Sequence, residues 1–164
     1  MSRRPSKIEG QFIAHRREMR ESAAWLALTF NARRVLDRLE LEHMAHGAEA
    51  NGSLICTYEQ FKAAGLRGPS IAQAIHECEA LGFVEVTKRG SPSLSRYRNP
   101  STYRLTYIFG RGRNSAPTDE WRQIKTAEQA LAAVTMARAA KSAPHVRRAQ
   151  AVADARARQK AVAA

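Results

Sequence analysis

Pro69-Ser-Ile-Ala-Gln-Ala-Ile-His-Glu-Cys-Glu-Ala-Leu-Gly-Phe-Val-Glu85 reads as a helix that stops at a glycine and continues as a strand. Ser70 can cap the helix by accepting a hydrogen bond from a first-turn amide that has no partner within the helix. Ile71, Ala74, Ile75, Cys78 and Leu81 then recur at three- and four-residue intervals, which puts them on one buried stripe. Ser70, Ala72, Gln73 and His76 fall on the other side. Gly82 stands where a chain leaving a helix needs a left-handed residue, and Phe83, Val84 and Val86 after it have the bulk and branching of a strand.

Upstream, Thr57-Tyr-Glu-Gln60 has the form of a capping box, and Phe61 and Ala64 supply the inner face of the helix it starts. That helix is expected to end at Gly65, with Leu66-Arg-Gly-Pro69 as the turn. Two helices joined by a short glycine-containing turn have the spacing of a helix-turn-helix. Further back, Ser53-Leu-Ile-Cys56 fits a short buried strand, and His46 to Gly52 has the glycine and asparagine content of a turn. From Thr29 to about Met44, Ala32, Val35, Leu36, Leu39 and His43 predict a first helix capped by Thr29 or Asn31. Its wet side is expected to hold Arg33, Arg34, Asp37, Arg38, Glu40 and Glu42. Residues 11–28 read as an extended lead-in and a helical turn that packs Trp25 on the core.

Downstream, the strand from Phe83 passes through a Ser, Pro and Arg-rich segment to Thr102–Phe109, where Tyr103, Leu105, Tyr107 and Phe109 alternate as in a second strand. No acidic residue lies between Glu85 and Asp119, whereas Lys88, Arg89, Arg96, Arg98, Arg104, Arg111 and Arg113 are basic. Beyond Asn114 the composition turns to Ala, Arg, Lys and Gln, with a second box-like start at Thr126-Ala-Glu-Gln129. Residues 118–141 are expected to be mostly helical; 145–164 offer few large apolar groups to bury.

The expected fold is α+β: a winged helix-turn-helix with a three-helix core and a small antiparallel β-hairpin wing, plus a C-terminal helical, basic extension. The divisions are 1–10, a basic segment; 11–110, the winged helix; and 111–164, an Ala/Arg-rich tail.

Charge indicates the partner. The 164 residues hold 27 Lys and Arg against 15 Asp and Glu, a formal net charge of +12, which favours a polyanion. Residues 110–164 contribute 11 basic and only 4 acidic groups. No apolar run could cross a bilayer and no signal-peptide core follows the basic first residues, so the expectation is a cytoplasmic, nucleoid-associated protein without a membrane partner. Cys56 and Cys78 form no C-x-x-C pair and read as buried hydrophobes. His43 and His46 lack further ligands at metal spacing. There is no phosphate loop, H-E-x-x-H or Gly-x-Ser-x-Gly, so no catalytic residue, metal or cofactor is assigned.

The segments Gln11-Phe-Ile, Glu18-Met, Ser22-Ala-Ala-Trp-Leu-Ala-Leu28, Ala32-Arg-Arg-Val-Leu36, Asn51-Gly52, Ala74-Ile75, Glu79-Ala-Leu-Gly-Phe-Val84 and Tyr103-Arg-Leu-Thr106 resemble bacterial winged-helix proteins carried by plasmids and phages. Those proteins include replication-associated and transcription-regulating members. Over roughly residues 10–109 the resemblance implies fold and binding of double-stranded DNA. It places Ser70, Gln73 and His76 toward the major groove and Lys88, Arg89, Arg96 and Arg98 on the wing.

The chemistry of these residue types agrees. Gln can pair with adenine, and arginines hold phosphates or enter a narrow minor groove. Arg67 is a phosphate candidate at the start of the reading helix. Glu77 and Glu79 count against the reading unless they turn away from the groove. Arg111, Arg113, Arg147 and Arg148, with Arg156, Arg158 and Lys160, make the tail a salt-sensitive arm, and its Leu131, Val134 and Met136 are compatible with a homodimer.

The expected role is a sequence-specific transcription regulator of a mobile element. A replication or conjugation accessory protein that binds an origin and recruits machinery is the alternative within that class. A protein-docking module with a nucleic-acid-binding tail is the alternative outside it. RNA binding lacks a cluster of exposed aromatics to stack unpaired bases.

Overall fold

A computed structural model of the chain describes residues 9–90, 100–110 and 115–139. It has six α-helices among these residues: α1 (Arg17–Arg20), α2 (Ala23–Ala27), α3 (Phe30–Ala45), α4 (Tyr58–Ala63), α5 (Gly68–Ala80) and α6 (127–139). The strands are β1 (Leu54–Ile55), β2 (Val84–Lys88) and β3 (Thr102–Leu105), and a 3-10 turn spans Glu120–Gln123. The architecture is α+β, with one antiparallel sheet in the order β1-β3-β2. Residues 1–8, the 91–99 connection with Arg96 and Arg98, Arg111 and Arg113, and 140–164 with Arg147 and Arg148 lie outside the described residues.

Local chemistry sets most boundaries. Thr29 caps α3 by accepting from the Ala32 amide. Thr57 and Gln60 form both halves of the capping box that starts α4. Gly82 leaves α5 at φ +78°, a conformation an L side chain resists. Ser70, by contrast, is not the cap of α5. The helix starts one turn-fraction earlier, with Arg67 at the cap position and no side-chain cap bond, because Pro69 lacks an N–H and has a φ already suited to a first turn.

The apolar stripe of α3 (Ala32, Val35, Leu36, Leu39) and that of α5 (Ile71, Ala74, Ile75, Cys78) are buried, and α3 and α5 pack on each other. The inner face of the sheet completes the core: Leu54 pairs with Tyr103 and Val84 with Leu105 in register. Aromatic edges lock the layers, Phe61 on Tyr103 at 6.1 Å and Trp25 on Phe83 at 5.5 Å between ring centroids. Both cysteines are free and buried, and burial pushes the Cys56 thiol up to about 12 and that of Cys78 well above its usual value.

Two further expectations are corrected. The strand beginning at Thr102 stops at Leu105, and Tyr107 is buried beyond it while Phe109 is exposed. The cause is Asn51, read from sequence as a turn residue. Its buried amide donates to the carbonyls of Leu105, Ile108 and Phe109, and its oxygen accepts the Leu105 N–H at 2.7 Å, so the chain curls round one side chain. Glu40 and Glu42, expected on the wet side of α3, are buried. Glu40 accepts from His15 at 2.7 Å and from the Tyr107 hydroxyl, and Glu42 pairs with Arg38.

Residues 118–139 are mostly helical, as expected, in two pieces, the 3-10 turn and α6, and neither is peripheral. Trp121, Ala130 and Val134 belong to the buried core, so the packing does not divide at residue 110.

Candidate nucleic-acid interface

The turn between α4 and α5 is held from α3. Arg34 donates to the carbonyl of Ala64 at 3.0 Å, and its guanidinium lies where a Cβ on Gly65 would be, 1.8 Å away. With φ +89° at the same residue, glycine is favoured there for its conformation, and a Cβ would also push the Arg34 guanidinium off the Ala64 carbonyl. This fixes the direction in which α5 leaves the turn.

Helical spacing and exposure together set the outward line of α5. Pro69 is exposed, and Gln73, His76 and Ala80 are partly exposed, while the flanking positions turn to either side. Ser70 faces a polar hollow of about 240 Å³ shared with Thr29, Asn31, Gln73, Glu77 and Arg138. Ala72 and His76 border a smaller one, about 60 Å³, against Tyr58, Val86 and Arg89.

Both carboxylates of α5 are removed from the outward line. Glu77 is buried, accepts the Thr29 amide at 2.7 Å and lies 3.7 Å from Arg138 of α6. It therefore joins the first turn of α3 to the C-terminal helix. Glu79 takes two bonds from the Arg89 guanidinium, at 3.0 and 3.2 Å, and stands 3.6 Å from the ring of His76. Arg89 remains mostly exposed. The base-edge candidate His76 and the strand-end Arg89 are thus gathered on one carboxylate.

Not every expected cation is available. Arg104, part of the acid-free run, is bound to Glu85 directly across the strands at 2.6 Å and lies 3.5 Å from Glu120. Lys88 at the end of β2 and Arg67 at the start of α5 are exposed.

Lys62 was absent from the sequence-derived set. Its Cε would sit 3.6 Å from a Cβ on Gly68, so the ammonium, paired with Glu59 at 2.8 Å, overhangs the first turn of α5. Its offset from the turn glycines was the only available signal. The amides of that turn have no side-chain cap, and with the exposed Arg67 they make an electropositive end to the helix.

Among the described residues no group of three His, Cys, Asp or Glu could hold a metal ion, and no helix is long and apolar enough to cross a membrane. No protein-family model, curated protein or solved structure matches the chain.

Proposed function

We propose that the protein is a winged helix-turn-helix that binds double-stranded DNA, with α4 and α5 as the helix pair and β2–β3 as the wing. The observation that carries this reading is the clearing of negative charge from the outward line of α5: Glu77 is turned inward and Glu79 is bound by the Arg89 guanidinium. What is left facing out is Gln73 and His76, side chains that pair with base edges, between an electropositive helix start and Lys88 and Arg89 at the wing. A helix presented this way is what a major groove admits.

Arg67, Lys62 and Lys88 are assigned to phosphates, which set register and affinity. Gln73 and His76 are assigned to bases, which set sequence preference. The basic residues beyond α6 add affinity that salt removes. A sequence-specific regulator, carried on a mobile element or acting at an origin, fits this division of labour.

Selection of bound duplexes from a random library tests it, using the full chain, a chain ending at residue 139, and the full chain with Gln73→Ala and His76→Ala. The first two should recover one motif. The double variant should lose about 1–3 kcal/mol of discrimination at each position it no longer reads. Recovery of the same motif by the double variant, or of no motif by any of the three, rejects α5 as the reader.

A further inference from the structure

A cleft of about 570 Å³ opens on a part of the molecule that uses no residue of α4, α5 or β2. Its size is that of a small-molecule site. The walls are Phe12, Ile13, Met44, Tyr107 and Phe109, with His43 of α3 among them. Two features distinguish it from an ordinary surface hollow.

First, Phe12 and Phe109 are 58% and 69% exposed although both border the cleft, so it offers two uncovered aromatic rings and the polarisable sulfur of Met44 to whatever enters. Second, His43 is only 2% exposed and its Nδ1 is buried without a hydrogen-bond partner. Native interiors rarely leave such an atom unpaired. Burial lowers the pKa of His43, and a neutral imidazole offers one donor and one acceptor. The charged groups at the rim, Arg16 and Asp119, are bound to each other, which leaves no net charge to call for an ionic ligand.

We propose that this cleft binds a small, uncharged aromatic molecule bearing a hydroxyl or ring N–H, with Phe12 and Phe109 as its apolar contacts and His43 as its polar anchor. The site is independent of the DNA-binding reading, since the two share no residue. Its walls are tied to the fold: Asn51 holds the carbonyls of Ile108 and Phe109 together with β3, and the Tyr107 hydroxyl donates to Glu40 of α3.

Phenol and toluene, alike in size, with a hydroxyl in one where the other has a methyl, are the probes. Titrated into the isotope-labelled full chain, phenol should shift the amide signals of His43, Met44, Tyr107, Phe109 and Gly110 with a dissociation constant on the order of 1 mM, the range small fragments reach. Toluene should bind roughly fivefold more weakly, the contribution of one hydrogen bond.

Ala14→Trp, a substitution at an exposed position of the rim, should block both probes while leaving the rest of the spectrum in place. His43→Phe should bind the two equally. Absence of shifts at tenfold higher phenol, equal binding of phenol and toluene by the unaltered chain, or unchanged titration of Ala14→Trp would each overturn the proposal.

Discussion

Replacing Gly82 by alanine separates two reasons a glycine can be required, and the separation can be measured. At φ +78° the new Cβ incurs the left-handed penalty, about 1–2 kcal/mol. It also lands 2.6 Å from the Glu120 carbonyl carbon and from the Trp121 nitrogen, backbone atoms that cannot swing aside as a side-chain tip would. Contact between such atoms is comfortable only at about 3.5–4.0 Å, so the 119–123 segment has to move by roughly 1 Å. That segment seats the buried Trp121 and bonds the Asp119 amide to the Thr106 carbonyl at 3.0 Å. Unseating a large side chain forfeits about 1.5–3 kcal/mol. The expected total is about 2.5–5 kcal/mol.

Gly47 is the control. Its φ is +66° and nothing lies within 4 Å of a Cβ built there, so Gly47→Ala incurs the conformational term alone, about 1 kcal/mol. Urea denaturation followed by circular dichroism gives both values. The indole N–H signal of Trp121, bonded to Asp119 at 3.1 Å, reports whether the segment has undocked. If Gly82→Ala comes within about 0.5 kcal/mol of Gly47→Ala and the Trp121 signal stays in place, the packing of 119–123 on Gly82 is not what fixes that residue as glycine.

Further substitutions probe other parts of the molecule. Asn51→Ala strips four backbone groups of their partner and should cost about 2–4 kcal/mol in urea denaturation; a loss under about 1 kcal/mol would mean that water replaces the amide. Arg67→Ala should weaken binding to all duplexes alike and lower the salt dependence of log K by about one, whereas a change in the selected motif would move Arg67 from phosphate to base. Burial holds the His43 pKa below its ordinary 6.5, with Glu40 opposing. The unfolded chain then binds the extra proton first as pH falls, so the stability His43 contributes is complete above about 6.5 and drains away below it. His43→Phe should flatten the fall in unfolding free energy between about pH 7 and 5.5, and an unaltered slope in the variant counts against a buried neutral imidazole.

Much of the fold was legible along the chain because its signals are local. The Thr57–Gln60 box, the Thr29 cap, the stripe from Ile71 to Leu81 and the glycine after it each act within a few residues, and each produces the element expected of it. Ser70 misled because a proline one residue earlier is itself a helix starter. Of the candidate site, the residue types on α5 could be read, but not the direction of its two carboxylates. Glu77 and Glu79 look equivalent in sequence. One points to the Thr29 amide 48 positions away and the other to Arg89, just past the end of β2.

The sequence by itself determined the α+β order, the element boundaries set by caps and glycines, the burial of α3 and α5 along their stripes, and the basic charge that favours a polyanion. Tertiary structure alone decided where long-range polar partners meet: Asn51 with the chain after β3, Glu40 with His15 and Tyr107, Glu77 with α3 and α6, and Arg104 with Glu85. The division has one physical cause. Caps, turns and stripes depend on spacing within one element, where hydrogen bonds reach only a few residues. A buried carboxylate or amide needs a partner at any sequence distance, and which one it finds depends on how the elements pack.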